Sequence, residues 1–245
     1  MTKQKTVAII HYNTPELTEA LVKSIRKHGG EEYLVYILDN SNERPFTKKM
    51  KGVKVFNNRK GQIINFEKEL AKYPERDEKI GCAKGCNFGS DVHMISVQKL
   101  WELVPEGFVL MDSDILIKDN FDWMFMEDQC CCGYIGKCSG PEAIDRLVPM
   151  MLWINVPMCV AGGARFFDPN RAWALHSGWG DKRNFWDTGA AFLDDIRRLK
   201  PQCHGKAISR VQILNHIVHF GGGSWRQNDI NGQQKWLTEH KNLWE

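Results

Sequence analysis

The sequence lacks an apolar run long enough to cross a membrane. Its longest nearly apolar stretch, Val148 to Ala164, reads "VPMMLWINVPMCVAGGA" and is broken by Pro149, Asn155 and Pro157. A spanning helix needs about 20 apolar residues, so this stretch is expected to be buried core or a binding wall. No long apolar segment follows the lysines of "MTKQKTVAII", so no signal peptide is expected and a cytoplasmic location follows. Attachment to a membrane surface stays open. An excess of one charge is also missing. With 33 basic and 30 acidic residues the net charge is +3, too small for nucleic acid to be a partner through bulk electrostatics. It leaves room for a local basic patch that holds a diphosphate. Repeats, low-complexity tracts and a clear linker are absent, which predicts one domain over 1–245. The eight cysteines lack the two paired spacings of a zinc site: Cys82 and Cys86 come close, but no second pair follows. Reduced thiols are expected, with "QCCCGYIG" a strand that packs Cys130, Cys131 and Cys132 inside.

What is present is a chain of 245 residues, 42% hydrophobic, enough for one sizeable core. "TVAIIHY" is a continuous β-rich run, as in a parallel strand covered on both faces. Thr14-Pro15 opens a helix, Leu17, Leu21, Ile25 and His28 continue it at helical spacing, and Gly29-Gly30 ends it. "YLVYIL" and "VKVF" are further strands. Gln62 to Tyr73 reads as helix. Ser90 is placed to cap a helix carrying Val92, Ile95, Leu100 and Leu103, and Pro105-Glu106-Gly107 stops it. Asp187 to Arg198 and "QQKWLTEHKNLW" are late helices. The order predicts an α/β fold with an open, mostly parallel twisted sheet flanked by helices. A nucleotide-binding half covers about 1–118 and an acceptor-binding half about 119–245.

The stretch "FVLMDSDILI" raises the functional question. A buried strand runs to its end and delivers two carboxylates one residue apart, Asp112 and Asp114, around Ser113. Unpaired buried charge is costly, and the natural partner is a hard divalent cation such as Mg2+ or Mn2+. Ligands of open α/β sheets bind at the carboxyl ends of the strands. Asp39 and Asn40, closing the second strand, share that edge.

These residues resemble glycosyltransferases of the GT-A fold, most closely glycosyltransferase family 2. "TVAIIHYNTPELTEALVKSIRKH" is similar to that family's first strand and helix. "YILDNSN" looks like its second strand with the nucleoside-contacting acid, and "NFGSDVHMISVQKLWELV" then "FVLMDSDIL" like the helix leading into its D-x-D motif. "GGARFFD" and "FWDTGAAFLDDIRR" resemble its acceptor segment and base-bearing helix, and "VHFGGGSWR" its late metal-histidine segment. A typical member has Glu-Asp before that helix; this chain has Trp186-Asp187.

The resemblance implies transfer of a sugar, with inversion, from a nucleotide-diphosphate-sugar, UDP-sugar by preference, to an acceptor hydroxyl. A carbohydrate or lipid-linked sugar would be the acceptor, in polysaccharide or glycoconjugate synthesis. It implies a metal on Asp114, sugar or ribose contact by Asp112, and a base contact by Asp39, whose alternative is an Asx-turn. Gly89, Ser90 and His93 sit at a helix start whose free amides suit a diphosphate. His216 and His219 in "NHIVHF" read as a strand, where a spacing of three sets side chains on opposite faces; the family pattern favours His219 as the metal ligand. Asp187 is the expected base, ahead of Asp181, Asp194 and Asp195, the last two read as a solvated face. Trp153, Trp179, Trp186 and Trp225 are candidate sugar platforms. Two rivals remain: a nucleotidyltransferase, against which "HYNTPEL" counts because it has no Gly-rich basic loop, and a non-catalytic sugar-binding protein.

Overall fold

A computed structural model describes residues 4–30, 32–71, 88–137, 145–167, 188–199, 204–222 and 226–245, with backbone alone at 70 and 88–91. Four strands form the parallel half of the sheet: β1 (Thr6–His11), β2 (Leu34–Asp39), β3 (Val53–Asn57) and β4 (Phe108–Asp112). Their order is β3-β2-β1-β4, and every pairing among them is parallel. Beyond β4 the sheet turns antiparallel through β8 (Met151–Ile154), β6 (Cys131–Lys137) and β7 (Asp145–Leu147). The short β9 (Gly205–Ile208) pairs parallel with β6.

The unbroken apolar runs follow from cover on both faces. Val7, Ile9, Val35, Ile37, Val109 and Met111 pack with Leu21, Val22 and Ile25 of α1 (Pro15–Gly29). The alternate residues Ala8, Leu38 and Leu110 pack on the other face, with Val97 and Leu100 of α3 (Phe88–Leu103) and Phe192 of α5 (Ala190–Arg198). The expected open α/β sheet is therefore present, and its period-two side-chain alternation builds two separate cores.

Several boundaries differ from the sequence reading. Helix α3 begins at Phe88, so Ser90 lies within its first turn instead of capping it. Of the expected helix over 62–73, helix is present at α2 (Phe66–Ala71), a 3-10 turn at Arg59–Gly61 lies ahead of it, and 72–73 fall outside the described residues. "QCCCGYIG" is a strand as expected, and Cys131, Cys132 and Cys159 are buried free thiols. Burial first, then the neighbouring Cys132, pushes the Cys131 thiol up to about 12, which keeps it unreactive. Cys130 departs from the all-thiol expectation: it is disulfide-bonded. Cys82 and Cys86 lie outside the described residues. Val148 to Ala164 is core as expected, supplying β8 and α4 (Val156–Ala161), although Val160 is exposed. Among the described residues no helix is long and apolar enough to cross a membrane.

The late segment folds differently from the single strand expected. Helix α6 (Arg210–His216) ends at His216, and only β10 (Ile217–His219) is extended. It pairs antiparallel with β5 (Ile115–Ile117), immediately after the aspartates. Helix α7 (Ile230–Glu239) closes the chain against α1.

Candidate metal centre and adjoining cavity

Strand register brings the candidate residues to one edge. His11 is level with Asp39, Asp39 with Asn57, and Ile10 with Asp112. Asp112 is the last residue of β4, and Asp112-Ser113-Asp114 turns the chain into β5. The β5–β10 ribbon sets His219 opposite Ile115, and Phe220 N–H donates to the Asp114 carbonyl at 2.9 Å. His219 Nε2 then lies 3.2 Å from Asp114 Oδ1.

Asp112, Asp114 and His219 each offer a ligand atom, all within 4.8 Å of one another, the one such three-residue group among the described residues. Ligands about 2.1 Å from one octahedral ion lie roughly 3.0 Å apart when adjacent and 4.2 Å when opposite, so small side-chain movements suffice. The electrostatics agree. Burial and the charge of Asp114 push the Asp112 carboxyl up to about 7, against the opposing charges of His219 and Arg146. Burial works against a charge on His219, but the hydrogen bond and charge of Asp114, with the charge of Asp112, raise its pKa overall. Two close carboxylates strained in this way fit a divalent cation, which would supply the missing charge. His93 also reaches this cluster, with Nε2 3.9 Å from Asp112 Oδ1.

The structure separates other expected site residues from it. His216 packs on Trp123, ring centroids 5.0 Å apart, so the chain delivers one histidine by ending a helix between the two, not by strand alternation. Asp39 is 1% exposed. Its two oxygens accept from the backbone amides of Ser41 at 2.9 Å and Phe46 at 2.8 Å. It closes the turn after β2, the Asx-turn that is the alternative to a base contact. Asn40 is likewise engaged, donating to Ser96 and accepting from Asn58. Trp153 is 3% exposed and donates to the Met126 carbonyl at 2.8 Å; it is core, not a sugar platform. Asp195 is also buried, accepting from the Arg165 amide at 2.9 Å, which corrects the solvated-face reading. Asp187, Asp181, Trp179, Trp186 and Trp225 lie outside the described residues, as does the side chain of Ser90, while Gly89 lies in the first turn of α3.

Along the same sheet edge as the triad, at the ends of β2 and β3, opens a cavity of about 570 Å3 lined by Asn40, Asn42, Asn58, Arg59, Lys60 and Phe66. Lys60 holds a left-handed backbone at φ +60°, a conformation uncommon outside glycine. Three residues here were not singled out by the sequence reading: Arg59 and Lys60, which line the cavity, and Arg146, whose charge reaches Asp112 although it stands far from it in sequence.

No protein-family profile matches the chain, and no curated protein matches it. Solved structures similar to it include the glycosyltransferase GlyE of Streptococcus pneumoniae TIGR4, at 10% identity and a TM-score of 0.42 over 83% of this chain. The chain spans 45% of that structure's length. Galactosyltransferase LgtC, in complex with donor and acceptor sugar analogs, matches at 13% identity and a TM-score of 0.44, over 82% of this chain and 72% of LgtC. PaToxG glycosyltransferase matches at 14% identity and 0.40, over 86% and 73%. These similarities are low, and the functional reading rests on the chain's own residues.

Proposed function

We propose that this protein is a divalent-metal-dependent glycosyltransferase of the GT-A fold that uses a nucleotide-diphosphate-sugar. The observation that carries the reading is the Asp112–Asp114–His219 group at the carboxyl edge of a parallel sheet, with an open cavity lined by Asn42, Arg59, Lys60 and Phe66 along the same edge. The triad ends β4 and the cavity ends β2 and β3, with β1 between. Adjacent strands are about 4.8 Å apart, so the two sites, two to three strands apart, are separated by roughly 10–14 Å. That is the reach of a nucleoside joined to a diphosphate: the nucleoside in the cavity, beside Asn42, Arg59 and Lys60, and the diphosphate at the triad. A nucleoside alone would need only the cavity, and a bare metal only the triad.

Mn2+ or Mg2+ held by Asp114, Asp112 and His219 would neutralise charge on the departing diphosphate. Asp187, three residues ahead of α5 in the sequence, removes the proton of an acceptor hydroxyl. That oxygen attacks the anomeric carbon from the face opposite the diphosphate; the new C–O bond forms as the bond to the diphosphate oxygen breaks. One displacement inverts the configuration. The chain acts as one unit in this reading, residues up to about 118 holding the donor and the rest the acceptor, a carbohydrate or lipid-linked sugar. UDP is the preferred carrier.

A thermal-shift panel of nucleotide diphosphates tests the proposal. UDP with Mn2+ should raise the melting temperature more than the sum of either alone; a ligand at 100 times its Kd adds about 2.7 kcal/mol. A panel in which no nucleotide responds to metal defeats it.

A further inference from the structure

The residue that follows Tyr12 at the end of β1 is the centre of a hydrogen-bonded hub. Asn13 is 3% exposed yet holds a left-handed backbone at φ +54°. Asparagine tolerates that conformation better than most residues, and such a residue persists only where its surroundings over-determine it. Here they do. Its amide donates to Ser41 Oγ at 2.8 Å. Its Oδ1 accepts from the amides of Glu43 at 3.1 Å and Arg44 at 3.0 Å. Its Nδ2 donates to Asn42 Oδ1 and to Gln227 Oε1, both at 2.6 Å. The carboxamide is therefore saturated, with both donors and both acceptor positions used.

The partners belong to two separate walls. Ser41 and Asn42 line the cavity. Gln227 belongs to the segment that follows the metal-site histidine, and Arg44 Nη1 reaches the Gln227 carbonyl as well, at 3.4 Å. From Gln227 the contacts run back to the triad without a break. The Arg226 amide donates to the Gly222 carbonyl at 2.8 Å. The Arg226 guanidinium sits 4.3 Å from the centre of the Phe220 ring. Phe220 donates to the Asp114 carbonyl and adjoins His219. The β10 strand is only three residues long, so its pairing with β5 is a short hold on an imidazole that must reach a metal.

We infer that Asn13 is a positioning residue: through Gln227 it holds the His219 segment in place, and through Asn42 it ties that segment to the wall of the cavity. The metal half of this inference rests on the triad reading above. Coupling of this kind is reciprocal, so whatever orders the cavity wall also favours the metal-ready position of His219.

The test uses Mn2+ alone, titrated by calorimetry against four proteins: wild type, Gln227→Met, His219→Ala and the double variant. Gln227→Met keeps the length of the side chain and removes the bond to Asn13, at a partly exposed site where folding is safe. It should weaken Mn2+ binding about fivefold, the low end for coupled sites, and should cost nothing further when His219 is already gone. Asn13→Gly, which suits the left-handed backbone, should reproduce the loss. An unchanged Mn2+ affinity in Gln227→Met, or an equal loss in both His219 backgrounds, overturns the inference. A wild type that binds no Mn2+ defeats the metal reading instead. Positioning is then read from hydrogen exchange at the Phe220 amide, which should quicken at least about fivefold in Gln227→Met; unchanged exchange overturns it.

Discussion

Replacing Asp112 by Asn should stabilise the metal-free protein at alkaline pH and abolish its response to Mn2+. The Asp112 carboxyl, ordinarily near 3.8, is pushed up to about 7 by burial and then by the charge of Asp114. The folded chain thus holds this proton more tightly than the unfolded chain does. The stability it contributes is fully present below pH 3.8 and is lost as pH rises through about 7. His219, whose pKa is also raised, acts in the same direction, since its ion pair with Asp114 fades as it deprotonates. At 1.36 kcal/mol per tenfold change in proton affinity, the Asp112 effect is on the order of 4 kcal/mol between about pH 4 and pH 8. The side chain is 26% exposed, so solvent screening makes this an upper bound. Half of it corresponds to roughly 4–8 °C in melting temperature at this chain length. Asp112→Asn cannot ionise, so its advantage over wild type should be absent near pH 4 and greatest near pH 8. Adding Mn2+ at pH 8 should rescue the wild type and leave the variant unmoved. The assay is differential scanning calorimetry of both proteins across that range, with and without Mn2+. A variant no more stable than wild type at pH 8, or one that gains equally from Mn2+, refutes the reasoning.

Three further outcomes are expected. His219→Ala should weaken Mn2+-dependent UDP binding by tenfold or more, by analogy with losses around metal sites, while His216→Ala, which only loses its packing on Trp123, leaves it intact; calorimetric titration compares them. Asp187→Asn should bind UDP and Mn2+ normally and transfer no sugar, read as a lost kcat in a donor-consumption assay; near wild-type turnover moves the base elsewhere. Asp39→Ala should destabilise the fold by about 2–4 kcal/mol, because the buried Ser41 and Phe46 amides lose their acceptor; urea unfolding measures it, and a neutral result shows that the turn holds without the carboxylate.

The parallel half of the sheet was legible because its signal is local and simple. Val7 to Ile9 and Phe108 to Met111 are apolar without interruption, which is what cover on both faces demands, and Pro15 and Gly29-Gly30 frame α1 by backbone chemistry alone. Asp112 and Asp114 stood out because charge after such a strand needs a partner. His219 was found for an incomplete reason. Nothing in "NHIVHF" announces that a helix ends at His216, because that boundary depends on pairing with β5, far away in sequence. Trp153 misled for the same cause, and the turn role of Asp39 was equally hidden. An acid at a strand end and an indole in an irregular segment look available for ligands until the fold supplies their partners, the Ser41 and Phe46 amides and the Met126 carbonyl. Asn13 gave no signal at all, since its meaning lies in Gln227, 214 residues on.

The short β5–β10 ribbon has a consequence for how the protein is made. Asp114 and His219 are 105 residues apart, so a growing chain exposes both carboxylates long before the imidazole exists. Closing so long a loop costs little more than closing one half its length, and late arrival is no thermodynamic obstacle. Until β10 forms, however, the two carboxylates lack the imidazole that faces Asp114, and the three-residue group is incomplete. The group therefore comes together only after residue 219 has been made and β10 has paired with β5, so its geometry depends on the completed sheet edge and not on the D-x-D turn alone.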